Sequence, residues 1–373
     1  MRVLLCLPPA RTSNEADLFR AMPAPTELIV ANNVASNGNG RQGEEHLFLE
    51  ARRVPLVGGQ EGWTAAPAWL SGLTTLDPGP VDVVASLELY SFVSRQAAVL
   101  ARRHGLPHAV TVFETMANNP LYRLPPWRQI TRCIVRSAGA FVCFSDLALQ
   151  HAVELGCPPE RCVVVHPGVD TAWFRPAGER PTRPTVLFVG MLRSDRGADK
   201  GVRDIVAACE QLAGEIEGLR LVMVGDGPLR PELSERARTE PFLEILGRRD
   251  RGEIACLLRE SSALALASRR RWKWEEQFGF VLVEAMASGL PVVATRSGAI
   301  PEVVPSWNPL VAERDVAGLA EGIRAALGRA GDDWGRRNRA HALEHFDLRR
   351  QGGRLADTLS GLTASTPGKG RPA

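Results

Sequence analysis

Short apolar, β-favouring runs alternate along the chain with longer stretches of helical periodicity. In the first half, strands are predicted near 2–7 (RVLLCL), 26–30 (TELIV), 82–85 (DVVA), 108–112 (HAVTV), 139–144 and 163–165 (VVV), with helices between them. One such helix is predicted over 88–103, closed by Gly105. The second half restarts the rhythm at 185–189 (TVLFV), 221–224 (LVMV), 243–246 (LEIL), 263–267 (ALALA) and 292–294 (VVA). Near-continuous apolar strands separated by helices are the pattern of parallel sheets built from βαβ units. The intervening "HPGVDTAWFRPAGERPTRPT" is rich in Pro and Gly and reads as a linker. The expected architecture is α/β: two facing, doubly wound, Rossmann-like domains over 1–170 and 171–350 with a cleft between them. A C-terminal helix end and tail over 351–373 can cross back to the first domain, and the last residues, "STPGKGRPA", read as a frayed tail. Ligands of such sheets bind beyond the carboxyl ends of the strands, so the loops after the second-half strands are where chemistry is expected.

One of those regions is "WEEQFGFVLVEAMASGLPVVATRSG", residues 274–298, which places Glu276 and Glu284 on either side of Gly279. The run from Gly279 to Ser288 reads as a helix, with Gly289 as its stop and Pro291 before the next strand. A glycine at a helix start leaves room for a ligand, and the amides of Phe280, Val281 and Leu282 are expected to be open there. Unpaired donors together with the helix dipole suit a phosphate. Were the whole span helical, the two carboxylates would lie roughly 12 Å apart along the axis, too far to share one metal or one proton. That separation suits opposite ends of an elongated ligand; the competing reading is an amphipathic helix with a solvated Glu at each end.

Two further loops have the same strand–loop–helix form. In "FVGMLRSDRGADKGVRDIVAA", residues 188–208, a strand ends at Gly190, and Arg193, Arg196 and Lys200 precede a helix. Guanidinium and ammonium groups beside a helix start supply the positive charge a diphosphate needs; the alternative is a solvated basic loop. In "VMVGDGPLRPEL", residues 222–233, Gly225 and Gly227 permit a tight turn, while Asp226 is either a helix cap or a ligand contact. No G-x-G-x-x-G follows the first strand, and "NGNGRQG" at 37–43 lies in a loop, so a dinucleotide-binding reading loses its main support.

Composition narrows the picture further. At 373 residues, with 45% hydrophobic and 23% charged residues, the chain can bury two full cores. A net charge of +3 gives no argument for nucleic acid. "MRVLLCLPPA" is too short for a signal-peptide core, and no segment approaches the length of a transmembrane span, so a cytoplasmic protein is expected. Seven scattered cysteines without a Cys-x-x-Cys pair suggest neither a disulfide framework nor a zinc site. Of 45 basic residues only Lys200, Lys273 and Lys369 are lysines, so a Lys kept where Arg is the habit, as at 200, invites a chemical reason.

Taken together, Glu276 and Glu284 within "EEQFGFVLVEAMASGLPVVATRSG", "FVG" followed by "DKG", "VMVGDGPLR", and "VVVHPGVDTAWFRP" at 163–176 closely resemble the retaining glycosyltransferases of family four, with the GT-B fold. The resemblance spans roughly 139–350. It implies transfer of a sugar from a UDP- or GDP-type nucleotide diphosphate sugar with retained anomeric configuration. The first domain would then take the acceptor and the second the nucleotide sugar. By the same resemblance Glu276 would hold hydroxyls of the donor sugar, Glu284 the ribose, and Gly279, Phe280 and Val281, with Phe278 and Gly190 nearby, the diphosphate. Lys200 matches the phosphate-binding lysine, and Leu246 and Gly247 the turn that meets the base. The departing phosphate takes the acceptor's proton in this family, so Glu276 and Lys200 would be the catalytic groups, with no cofactor and no metal. The sequence contains no Asp-x-Asp, and His341 and His345, four apart on a helix, lack a third ligand.

The chain departs from the family pattern in three places. Met191 directly follows the glycine where Arg is usual, with Arg193 two positions later as its candidate substitute. "LPPARTSNEADLF" stands where a Gly-rich loop is common, and Phe113 and Glu114 stand where His and an acid often do. Acceptor-side candidates are Glu114, Tyr122 and Trp127 in "ETMANNPLYRLPPWRQ", and Trp274 in "RRRWKWEEQFG". The last stretch is readable as a clamp for an anionic or ring-bearing acceptor, as a membrane-touching surface, or as a solvated loop. A small-molecule or lipid-linked acceptor fits. The competing functions are a catalytically idle module serving as a partner subunit, a nucleotide-sugar epimerase and, weakest, a nicotinamide oxidoreductase.

Overall fold

The computed structural model of the chain describes residues 1–9, 14–33, 45–53, 68–116, 119–178, 181, 183–194 and 198–364. Two compact units emerge, one of Met1–Gly168 with Leu348–Ala373, the other of Val169–Asp347. The 37–43 segment, Arg196 and the final "STPGKGRPA" lie outside the described residues.

The first unit is built on a seven-stranded parallel sheet. From edge to edge its strands are Glu45–Phe48, Glu27–Asn32, Arg2–Cys6, Val83–Leu87, His108–Val112, Ala140–Cys143 and Cys162–Val164. Every apolar run expected in the first half is a strand here. The edge strand Glu45–Phe48 is additional, and so is a small antiparallel pair, Ala51–Arg53 with Ala68–Leu70. Leu4, Ile29 and Val84 on one face pack beneath Val93, Ala97 and Leu100 of the crossover helix Phe92–His104. Each of the Leu, Ile and Val side chains among them, removed from water, contributes roughly 1.5–3 kcal/mol. The helix starts four residues later than the sequence suggests, because Ser91 caps it by accepting the Ser94 amide, and it stops at Gly105 in the left-handed conformation. The C-terminal helix Leu348–Ala364 belongs to this unit. Gly352 comes so close to Ala21 that a Cβ would overlap its carbonyl oxygen, and Arg354 Nη2 donates to the Val164 carbonyl at 3.1 Å.

The second unit repeats the plan with six parallel strands in the order Leu243–Gly247, Arg220–Val224, Thr185–Val189, Ala263–Leu266, Val292–Thr295 and Leu310–Val311. Its core runs from Leu187 and Phe188 through Val222, Leu264 and Val293 to Leu282 and Met286 of the helix Phe280–Ala287. His341 and His345 stack at 4.5 Å between ring centroids, and His341 also packs against Trp307 and Phe346. Among the described residues no group of His, Cys, Asp or Glu is placed to hold a metal ion, and no helix is long and apolar enough to cross a membrane.

Candidate active site

At the carboxyl end of the second unit's sheet, three loops converge on Glu276. The helix covers only Phe280–Ala287, so Glu276 is carried by the loop before it and Glu284 by the helix itself. Gly279 starts the helix at φ 82°, and its carbonyl accepts the Leu282 amide at 2.8 Å. Leu282 is therefore removed from the expected set of open donors, leaving the first-turn amides of Phe280 and Val281. The Phe278 ring is buried edge-to-face against Phe280 and Phe346 at 5.3 and 5.7 Å. The ring anchors the loop from the core side.

Glu276 is clamped at both main chain and side chain. Its carbonyl accepts the Ala299 amide at 2.9 Å, an approach that works only because Gly298, at φ 53°, has no Cβ to overlap that oxygen. Its Oε2 accepts Lys200 Nζ and the buried Ser268 Oγ, each at 2.6 Å. Lys200 also lies 4.9 Å from the centroid of the Trp274 ring, which puts Trp274 against the charged pair. Lys200 reaches this position because Gly201, at φ 63°, brings its loop onto the Ala267 carbonyl, where any Cβ would overlap.

The neighbouring loops interlock through glycines in the same way. The Gly190 amide donates to Val224 at 2.9 Å and the Leu192 amide to Asp226 at 2.9 Å, while Cβ atoms on Gly225 and Gly227 would overlap the Gly190 and Leu192 carbonyls. Asp226 caps no helix: its Oδ1 accepts the Gly227 amide at 2.8 Å, and Arg230 stands 3.5 Å from its other oxygen. The strand Leu243–Gly247 shifts register so that Val224 pairs with Gly247 rather than Leu246. Leu246 is thereby left as a bulge, with Gly247 turning at φ 71°. Arg193 lies in the loop beside Lys200, and its carbonyl accepts the Lys200 amide at 3.4 Å.

Glu284 is buried on the helix with Arg251 at 3.7 Å. Burial pushes its carboxyl up to about 7, an effect the Arg251 guanidinium only partly offsets. The two carboxylates thus have separate partners, Glu276 a lysine and a serine hydroxyl, Glu284 an arginine.

Comparison with known proteins identifies the family of the chain. Residues 183–329 match the family described as "Glycosyl transferases group 1", and residues 12–168 the "Glycosyl transferase 4-like domain". The chain belongs to the glycosyltransferases of family four. It is 27% identical to the GDP-mannose-dependent alpha-(1-6)-phosphatidylinositol dimannoside mannosyltransferase of Mycobacterium tuberculosis, over 87% of this chain and 85% of that protein. It is 30% identical to that organism's glycogen synthase over 63% of this chain and 58% of the synthase, which is less than two thirds of that relative's length. Anabaena HepE in complex with UDP superposes with a TM-score of 0.77 at 18% identity, covering 97% of this chain and all of HepE, and so shares the GT-B fold.

Each arginine of the "RRRWKW" stretch is held in an ion pair, Arg269 and Arg271 in largely sheltered ones and Arg270 at the surface. Arg269 is bound to Asp204 through two nitrogens, Arg271 to Asp199, and Arg270 to Glu275 at 3.2 Å. Trp272, 73% exposed, projects from this segment, with Lys273 4.6 Å from its ring centroid. Sequence reasoning passed over Ser268, Asp199, Gly298 and Arg251. The first two were legible as polar residues beside a strand end and beside the rare lysine, whereas the roles of the other two depend on contacts far away in the chain.

In the first unit, the expected acceptor wall is largely interior. Tyr122 and Trp127 are buried with Tyr90 in one cluster, and the Tyr122 ring lies 5.4 Å from Tyr90 and 5.1 Å from His151. As stacking surfaces they are corrected to core residues. Glu114 is buried too, and its Oε1 turns back to accept the Thr115 and Met116 amides at 3.0 and 2.9 Å.

Proposed function

We propose that this glycosyltransferase moves a sugar from a UDP- or GDP-type nucleotide diphosphate sugar to a small-molecule or lipid-linked acceptor, with retention and without a metal. The observation that carries the reading is the Lys200–Glu276–Ser268 group, with Glu276 three residues ahead of Gly279 and a helix start whose first amides are the natural phosphate donors. On this reading the Glu276 carboxylate accepts hydroxyls of the donor sugar and Glu284 those of the ribose. Between them the diphosphate meets the amides of Phe280 and Val281 and the Lys200 ammonium. Lys200 stabilises charge building on the departing diphosphate, which is where such a reaction needs it most. The departing phosphate takes the acceptor's proton, so neither carboxylate need move one. The mycobacterial mannosyltransferase, whose printed name specifies GDP-mannose, and HepE, solved with UDP, support a nucleotide sugar donor without choosing between the bases.

A thermal-shift panel of nucleotides and nucleotide sugars tests the donor, because a ligand at a hundredfold its Kd raises stability by about 2.7 kcal/mol. Stabilisation by one base series names the donor; stabilisation by none sinks the reading. Glu276→Ala should abolish turnover of that donor while leaving the melting temperature within a few degrees.

A further inference from the structure

Beneath the Lys200–Glu276 pair lies an ion-pair nest that the donor chemistry does not itself require. Asp199 is 0% exposed. Its Oδ1 accepts the Gly201 amide at 3.0 Å, its Oδ2 is bound by Arg271 with Arg269 Nη1 at 3.7 Å, and its carbonyl accepts the Arg269 amide at 2.8 Å. Arg269 reaches on to Asp204 in the first turn of the next helix, with Nε to Oδ2 at 2.8 Å. Across the same segment, Arg271 and Trp274 exchange main-chain bonds, Arg271 N to Trp274 O at 2.7 Å. The loop bearing Lys200 and the loop bearing Trp274 and Glu276 are thus riveted by the residue immediately before Lys200. An interior carboxylate with this many donors is a rigid junction: removing one partner of such a pair strands the other charge in the interior.

Resting on the reading of Lys200 as the diphosphate contact, we propose that Asp199 and Arg271 are positioning residues: their buried ion pair fixes the direction in which Lys200 presents its ammonium beside Glu276. Neither touches the donor. A lysine is a point charge on a four-carbon stem, so what it delivers depends on where its backbone is held. Asp199 holds that backbone on one side and Gly201 on the other.

The test uses the full chain and calorimetric titration with UDP, GDP and the parent nucleosides. Asp199→Asn keeps the shape and removes the charge. It should weaken binding of the preferred diphosphate about 10-fold, the equivalent of one charge-assisted hydrogen bond, and leave the nucleoside's affinity unchanged. Arg271→Met should match it, Arg271→Lys should recover part of the loss, and the double variant Asp199→Asn with Arg271→Met should be no worse than either single change. In a Lys200→Ala background, Asp199→Asn should have no further effect. Full diphosphate affinity in folded Asp199→Asn, or an equal loss for nucleoside and diphosphate, overturns the proposal. If Lys200→Ala itself leaves diphosphate binding intact, the reading of Lys200 falls instead, so the two failures are distinct. Should Asp199→Asn not fold, Arg271→Lys carries the same comparison: diphosphate affinity equal to that of the unaltered chain sinks the proposal.

Discussion

The two units share one plan and finish their strand ends differently. In the second, the loops turn at glycines: Gly201, Gly225, Gly279 and Gly298 all have positive φ, and three of the four abut a carbonyl that any side chain would strike. In the first, the turn after Val83–Leu87 is made by Glu88 at φ 71°, a strained conformation for a non-glycine residue, and its Oε1 accepts the Phe113 amide at 3.2 Å. At these strand ends the second unit brings backbone to its loops and the first fills its loop with a side chain. On the proposed function, backbone brought close leaves amides and Lys200 to meet a phosphate, whereas side chains packed inward leave Tyr122, Trp127 and Glu114 inside.

The strongest way to break this comparison is to give one of the second unit's glycines a methyl group. Gly298→Ala would drive a Cβ into the Glu276 carbonyl and displace the residue that the site is built around. Shifts of about 1 Å at reacting groups cost about 100-fold in rate, so donor turnover should fall at least that far. Gly105→Ala in the first unit is the control. It has the same left-handed φ, at 66°, but open space around it, so it should lose about 1 kcal/mol of stability and no donor affinity. Equal damage from both substitutions, read as melting temperature and turnover, would mean that the conformation matters and the close approach does not.

How much of this was visible in the sequence follows from the same contrast. The central strands were legible because both faces are buried and their apolar runs are continuous. The edge strand Glu45–Phe48 was missed because its residues are half-exposed and its run is not apolar. Lys200 stood out as a rare lysine, and the Gly279 helix start as a glycine ahead of an apolar run. The ion pairs that organise the site could not be read, since Asp199 and Arg271 are 72 positions apart and each alone resembles any surface charge. Tyr122 and Trp127 misled for the opposite reason: Pro-rich surroundings suggested an exposed loop, and tertiary packing took both rings into the core. Glu276 and Glu284 were legible by spacing, but their unlike surroundings were not, because burial of Glu284 comes from the whole unit.

That unlike burial makes the next prediction. With its carboxyl raised to about 7 from an ordinary value of 4.5, Glu284 favours its neutral form in the folded state. The folded state therefore loses stability as pH rises from about 4.5 through about 7, by about 1.4 kcal/mol per unit of displacement at most. Glu284→Gln should flatten that slope in a series of thermal melts. If the carboxylate accepts ribose hydroxyls, bound nucleotide stabilises the ionised form. Affinity should then rise across the same pH window with release of protons, and the variant should lose both effects. A slope unchanged in Glu284→Gln would assign the titration to another group.

The smallest expected effect lies in the first unit, at Tyr122. The Tyr122 hydroxyl is buried with no hydrogen-bond partner among the described residues, and burial, reinforced by Glu114, Tyr90 and Glu88, raises its phenol well above the ordinary range. Its ring, by contrast, is packed edge-on against Tyr90. Removing an unsatisfied buried hydroxyl relieves a desolvation penalty and loses no bond, so Tyr122→Phe should be neutral or stabilise by up to about 1 kcal/mol. Tyr122→Ala empties the ring's space and should lose about 3–5 kcal/mol, as large aromatic truncations do. Nucleotide affinity measured beside the melts should stay unchanged in Tyr122→Phe, since the ring serves packing. A loss above 1 kcal/mol in Tyr122→Phe would show that the hydroxyl is bonded after all. The first unit would then carry a polar site of its own where the packing shows only a core.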